Sequence, residues 1–312
     1  MIPLMESRMN QSKVEVIQDG ARVSWPGVTI SLVVLVLFIL MVSVTWPRIE
    51  DWVSGMGTIQ IGLLASLVAG LFTAVGAIPI FFLRRIPQSV EDAMMGFGAG
   101  VMLAATAFEL VLPAVEGAEA QYGAVGMAIM VLAVGMGLGG GFLLLLHRLV
   151  PHEHFMIGPQ SGADPMKIRR VYLFIFAIAL HNLPEGLAVG VGFGGDVSDG
   201  MTLAVAIGLQ NMPEGLVVAI ALLSLGYSKA TAFGVTLLTG LVQPVGGLIG
   251  ATAVSVMEFL LPWGLAFAAG AMLFVISHEI IPESHRKGHE AKATLGVLIG
   301  FIALIAIDLA LG

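Results

Sequence analysis

Val171–Phe193 reads VYLFIFAIALHNLPEGLAVGVGF, an apolar run with an imidazole, an amide and a carboxylate near its centre. At 23 residues it is long enough to cross the hydrocarbon of a bilayer as a helix. The next apolar run, Met201–Leu225, reads MTLAVAIGLQNMPEGLVVAIALLSL and repeats the arrangement. His181-Asn182-Leu183-Pro184-Glu185-Gly186 is answered 29 residues later by Gln210-Asn211-Met212-Pro213-Glu214-Gly215. Each phrase sets a metal-ligand type four residues before a carboxylate, and residues i and i+4 share a helix face. The intervening proline removes a backbone donor and frees a carbonyl one turn back, so an interrupted helix is expected at each phrase. Imidazole and carboxylate groups inside an apolar run are expensive, which makes function their default reading.

The rest of the chain is of the same kind. Of its 312 residues, 57% are hydrophobic and 11% charged, and the mean hydropathy is +0.97. A soluble domain carries about 25% charged residues. The composition is that of an all-α integral membrane protein. Nine stretches approach the ~20 residues of a membrane crossing. They are Val28–Trp46, Ile59–Leu83, Ala93–Leu112, Ala124–Leu146, Val171–Phe193, Met201–Leu225, Ala232–Met257, Trp263–Ile281 and Ala293–Leu311. The first follows a polar lead too long for a signal peptide, with no small-residue cleavage pattern after it, and is read as a true span. The domain reading is a cytoplasmic segment over 1–27, an extra leading helix over 28–47, and an eight-helix transport domain over 57–312. A histidine-containing cytoplasmic loop, 147–170, interrupts that domain. There is no cysteine, hence no disulfide and no thiolate site, and the net charge of −7 argues against nucleic acid as a partner.

Basic residues give the orientation. With the N-terminus in the cytoplasm, the inner segments hold Arg8, Lys13, Arg22, Arg84, Arg85, Arg148, Lys167, Arg169, Arg170, Lys229, Arg286, Lys287 and Lys292, and the outer segments only Arg48. That follows the positive-inside rule and puts the C-terminus outside, as in a multi-pass protein of the cell (inner) membrane. The outer loops carry Glu50, Asp51, Glu116, Glu119, Asp196, Asp199 and Glu258. A surface of one sign concentrates cations at the mouth of a pathway.

His181 and Glu185 are eleventh and fifteenth of their 23 residues, and Gln210 and Glu214 tenth and fourteenth of 25. On antiparallel neighbours joined by a short loop these four side chains meet near the midplane, and Met102 offers a thioether at similar depth. A mixed nitrogen, oxygen and sulfur set suits Zn²⁺ or Cd²⁺ and tolerates Fe²⁺ or Mn²⁺. Gln243-Pro244 is a third polar residue beside a proline, and discontinuous helices with midplane ligands are a common build of ion carriers. Glu109 and Asp308 fall in the outer halves of their spans. On the inner side lie His278, Glu279, Glu283, His285 and His289, with His147, His152 and His154 in or beside the inner loop.

These residues resemble the ZIP (Zrt-, Irt-like) family of divalent-metal transporters, close to its bacterial members, from about Ala93 onward. The paired H-N-x-P-E-G and Q-N-x-P-E-G phrases carry the likeness. The resemblance implies an eight-span core with an optional leading span, and a metal site of Met102, His181, Glu185, Gln210 and Glu214. It implies acidic entrance residues at Glu116 and Asp308, and exit residues at His278, Glu279 and the histidines after them. It also implies a second, weaker metal position at Asn182, Asn211 and Gln243 that shares Glu214. Many bacterial members have acids at the last two, where this chain has amides. Two carboxylates neutralise one divalent ion, and a second ion would bring uncompensated charge into a low dielectric.

The expectation is therefore a divalent-metal transporter moving Zn²⁺, with Cd²⁺, Fe²⁺ and Mn²⁺ as further candidates, into the cytoplasm. It is no enzyme and needs no catalytic cofactor, the bound metal being its substrate. Its partners are the ion and the lipid bilayer, and a homodimer stays open. An intramembrane zinc-dependent hydrolase is the rival from another class. His278-Glu279 opens like H-E-x-x-H, but Pro282 stands where the second histidine belongs. A metal sensor without flux would share the same phrases.

Overall fold

A computed structural model of the chain describes residues 44–82, 86–149 and 165–311. Two compact units divide it, Met1–Pro47 and Arg48–Gly312. Segment 1–27 and nearly all of the leading span over Val28–Trp46 lie outside the described residues, as do Arg84, Arg85, His152, His154 and most of loop 147–170.

All regular elements among the described residues are helical. Beyond Gly57 they form α1 Thr58–Phe81, α2 Gln88–Tyr122 and α3 Val125–Leu149, then α4 Pro165–Gly192. These are followed by α5 Val197–Ser224, α6 Lys229–Val256 and α7 Glu258–His285, and by α8 Glu290–Leu311. Seven of these are long and apolar enough to cross a membrane; α4, with 28 residues, carries the first phrase. The chain is an all-α integral membrane protein. Some helices outrun the apolar stretches that announced them: α2 has 35 residues and adds Glu91 and Asp92 at one end and Glu116 and Glu119 at the other. A hydrophobic run marks the part of a helix in lipid, not its full length.

Close approach is built on glycine. α1, α4, α5 and α6 pack mainly on one another, and α2 packs along α8 as α3 does along α7. In the first group, a Cβ on Gly186 would overlap the carbonyl oxygen of Gln243, and one on Gly215 that of Thr73. The glycine that ends each phrase is thus the point where another helix touches the phrase. Helix association in lipid relies on such tight van der Waals contact. Gly186→Ala should lower stability by about 1–3 kcal/mol, because α6 must move off α4. A thermal melt of the purified variant checks this, and an unchanged midpoint would mean that the α4–α6 contact yields freely.

The prolines act differently from expectation at two of three places. α4 runs unbroken past Pro184 and α5 past Pro213. A proline removes one i→i−4 bond, and packing on both sides holds the helix through that gap. At Gln243-Pro244 the expected break is present: α6 is two segments, Lys229–Gly240 and Gln243–Val256. Two further irregularities had no counterpart in the sequence reading. α2 widens into a π turn over Ala105–Val111, and α7 over Ile276–Ile280. Each comes just before a proline, Pro113 or Pro282, whose ring clashes with an ordinary α-helical carbonyl one turn back. π turns are frequent at functional sites, and these two hold Glu109 and the His278-Glu279 pair.

Candidate metal centre

The two phrases stand side by side on α4 and α5. His181, Asn182, Glu185, Gln210, Asn211 and Gln243 are all buried, Asn182, Asn211 and Gln243 completely. Glu185 neighbours His181, Gln210 and Gln243, and Glu214 faces Glu185 and Glu279. α2 crosses α5 at the second phrase, where Gly98 lies against the Gln210 carbonyl and Pro213. Met102, one helical turn further along α2, is 1% exposed.

The amides are tied into the protein. Gln243 Nε2 donates to Asn182 Oδ1 at 2.9 Å and to Glu185 Oε2 at 2.7 Å. Asn182 Nδ2 donates to the Ile178 carbonyl at 3.0 Å, and Asn211 Nδ2 to the Ala69 carbonyl at 2.8 Å. Gln210 Nε2 donates to Asn211 Oδ1 at 3.1 Å. By contrast, Glu185 Oε1, Glu214 Oε1 and Gln243 Oε1 are buried oxygens that no donor among the described residues reaches. Buried carboxylate oxygens without donors are costly, and they are the hard ligands a divalent cation takes. Among the described residues no three His, Cys, Asp or Glu side chains form a ready-made ligand cluster. His181 Nε2 lies 3.0 Å from Glu279 Oε1 on α7.

The residues proposed from sequence as an exit separate into two sets. Glu279 Oε1 lies 3.8 Å from His147 Nδ1, and His147 Nε2 lies 3.4 Å from His278 Nε2, so Glu279, which reaches His181, shares His147 with His278. Phe274 stacks on His278. The others face elsewhere. Glu283 pairs with Arg286 at 2.5 Å and Lys287 at 3.0 Å. His285 bonds Thr294 Oγ1 at 3.0 Å. His289 Nδ1 bonds Asp92 Oδ2 at 2.9 Å, and Asp92 also accepts from Gln88 Nε2 at 2.9 Å. Asp92, completely buried, escaped the sequence reading because it sits at the polar edge of an apolar stretch. At the other end, Glu109 is buried, with Asp308 and Asp199 as its charged neighbours; Glu116 is exposed.

The chain is similar along most of its length to known proteins. Residues 152–308 match the family model described as ZIP Zinc transporter. The chain is 46% identical over 252 residues to "Zinc transporter GufA" of Myxococcus xanthus, covering 80% of this chain and 99% of the relative. It is 41% identical over 292 residues to "Zinc transporter ZIPB" of Bordetella bronchiseptica, covering 93% and 94%. Against "Zinc transporter ZIP11" of Homo sapiens it is 33% identical over 339 residues, covering 83% and 99%. A helical membrane bundle with paired carboxylates between α4 and α5, similar along most of its length to these proteins, belongs to the ZIP zinc transporter family.

Proposed function

We propose that the chain carries Zn²⁺ through the membrane into the cytoplasm by way of His181, Glu185, Gln210 and Glu214, with Met102 as a fifth ligand. The observation that carries this reading is the pair of buried oxygens, Glu185 Oε1 and Glu214 Oε1, that no donor among the described residues satisfies. Two carboxylates balance one divalent charge, and neutral imidazole, amide and thioether ligands let the ion leave again, where a closed thiolate cage would trap it. Cd²⁺, Fe²⁺ and Mn²⁺ are further candidate substrates on the same donor set. Glu109, Glu116 and Asp308 collect cations at the outer mouth; His278 and Glu279 stand on the inner side of His181. The chain lies in the inner membrane with its N-terminus in the cytoplasm, and domain 57–312 is the transport unit. Because ZIP members are transporters, the hydrolase alternative is set aside.

The test is purified protein in sealed liposomes, with Zn²⁺, Cd²⁺, Fe²⁺ and Mn²⁺ offered separately to an internal dye. Zn²⁺ entry above that of protein-free liposomes is expected. Tight Zn²⁺ binding without entry would favour a sensor.

Protons should compete with the ion, since ligation needs a neutral imidazole and ionised carboxylates. Zn²⁺ affinity should therefore fall as pH drops through the range where a free imidazole titrates, near ~6.5. Affinity that stayed flat to about pH 5 would contradict ligation by His181.

A further inference from the structure

His181 meets an acid outside its own phrase. Its Nε2 lies 3.0 Å from Glu279 Oε1, and Nδ1 has no hydrogen-bond partner among the described residues. An ionised carboxylate only accepts, so the contact puts the proton on Nε2 and leaves the lone pair on Nδ1. Glu279 lies in the π turn over Ile276–Ile280, a helix irregularity frequent at functional sites. Histidines that bind metal through one ring nitrogen commonly give the other N–H to a carboxylate, which fixes the tautomer and raises the basicity of the ligand.

We propose that Glu279 is a positioning residue for the midplane ion: His181 ligates through Nδ1 while Nε2–H stays bonded to Glu279, a carboxylate–histidine–metal arrangement built across α4 and α7. This rests on the reading of His181 as a ligand. It assigns Glu279 a different duty from that of an exit ligand, and the two differ in what they predict. A positioning carboxylate sets affinity; an exit ligand sets the rate of release. The arrangement also links α4 to α7, so the helix holding the exit histidine His278 is held to the ion's own ligand.

The test uses full-length protein labelled with ¹⁵N-histidine, with ¹¹³Cd²⁺ as the probe. His181 is assigned by loss of its signal in His181→Gln. Nitrogen–proton correlation spectra should show Nε2 protonated and Nδ1 metal-bound. Cadmium on Nε2 would overturn the proposal while leaving the ligand assignment intact, whereas no cadmium coupling to His181 at all would overturn both. In parallel, Glu279→Ala should weaken Cd²⁺ binding about 10- to 100-fold. Glu279→Gln should recover part of it, because the amide oxygen still accepts from Nε2–H. Full affinity in Glu279→Ala with slowed uptake would contradict the proposal and mark Glu279 as an exit ligand only.

Discussion

Zn²⁺ uptake by Glu185→Ala or Glu214→Ala protein is expected to fall to the level of protein-free liposomes, with each variant still purified from the membrane as a folded protein. Each substitution removes one of the two charges facing the ion deep in the bundle, where Glu185 is 2% exposed. Breaking a buried charge pair costs about 3–5 kcal/mol, which corresponds to roughly a hundred- to several-thousand-fold loss of affinity. The folded state should survive, since the lost oxygens include Glu185 Oε1 and Glu214 Oε1, which no donor among the described residues reaches. Glu185→Ala does cost the Gln243 amide its bond to Glu185 Oε2, leaving it only the bond to Asn182 Oδ1, so this variant should melt somewhat earlier than Glu214→Ala. Wild-type uptake in both variants would remove the midplane site from the account.

The second large effect concerns the number of ions. Asn211 and Gln243 are spent as donors, to the Ala69 carbonyl at 2.8 Å and to Glu185 Oε2 at 2.7 Å. The Gln243 amide holds one oxygen of Glu185 by hydrogen bonding, which leaves the other for a single ion. Zn²⁺ retained after desalting, less that retained by a Glu185→Ala/Glu214→Ala variant, should be one per chain. In Asn211→Asp/Gln243→Glu it should rise to two, since two anionic ligands then stand beside Glu214. The same change should destabilise the metal-free protein by about 3–5 kcal/mol, because a carboxylate at 243 faces that of Glu185 and one at 211 faces a carbonyl. Added Zn²⁺ should restore the melting temperature. Two ions per wild-type chain would show that amides suffice and would overturn the charge argument.

Much of the candidate centre was legible because lipid makes polarity conspicuous. His181, Glu185, Gln210 and Glu214 stood out as groups that an apolar stretch has no cheap reason to hold, and helical periodicity alone put each pair on one face. The prolines were legible as residues but not as breaks, since whether a helix survives one missing bond depends on the packing around it. Pro184 and Pro213 lie in continuous helix, whereas α6 is interrupted just before Gln243. The π turns and the partners of the inner histidines were not legible at all. His289 and Asp92 lie 197 residues apart, and His181 and Glu279 98 apart, so no local pattern could pair them. The glycines fall between these cases. The glycine that ends each phrase is plain in the sequence, but only the assembled bundle shows that Gly186 brings Gln243 against the first phrase.

Anomalous diffraction at the zinc edge, from crystals of the wild type grown with Zn²⁺, tests the central claim most directly. One full-occupancy midplane peak is expected, within about 2.0–2.2 Å of nitrogen and oxygen ligands from His181, Glu185, Gln210 and Glu214. Two full-occupancy midplane peaks, or a single peak that touches neither Glu185 nor Glu214, would contradict it.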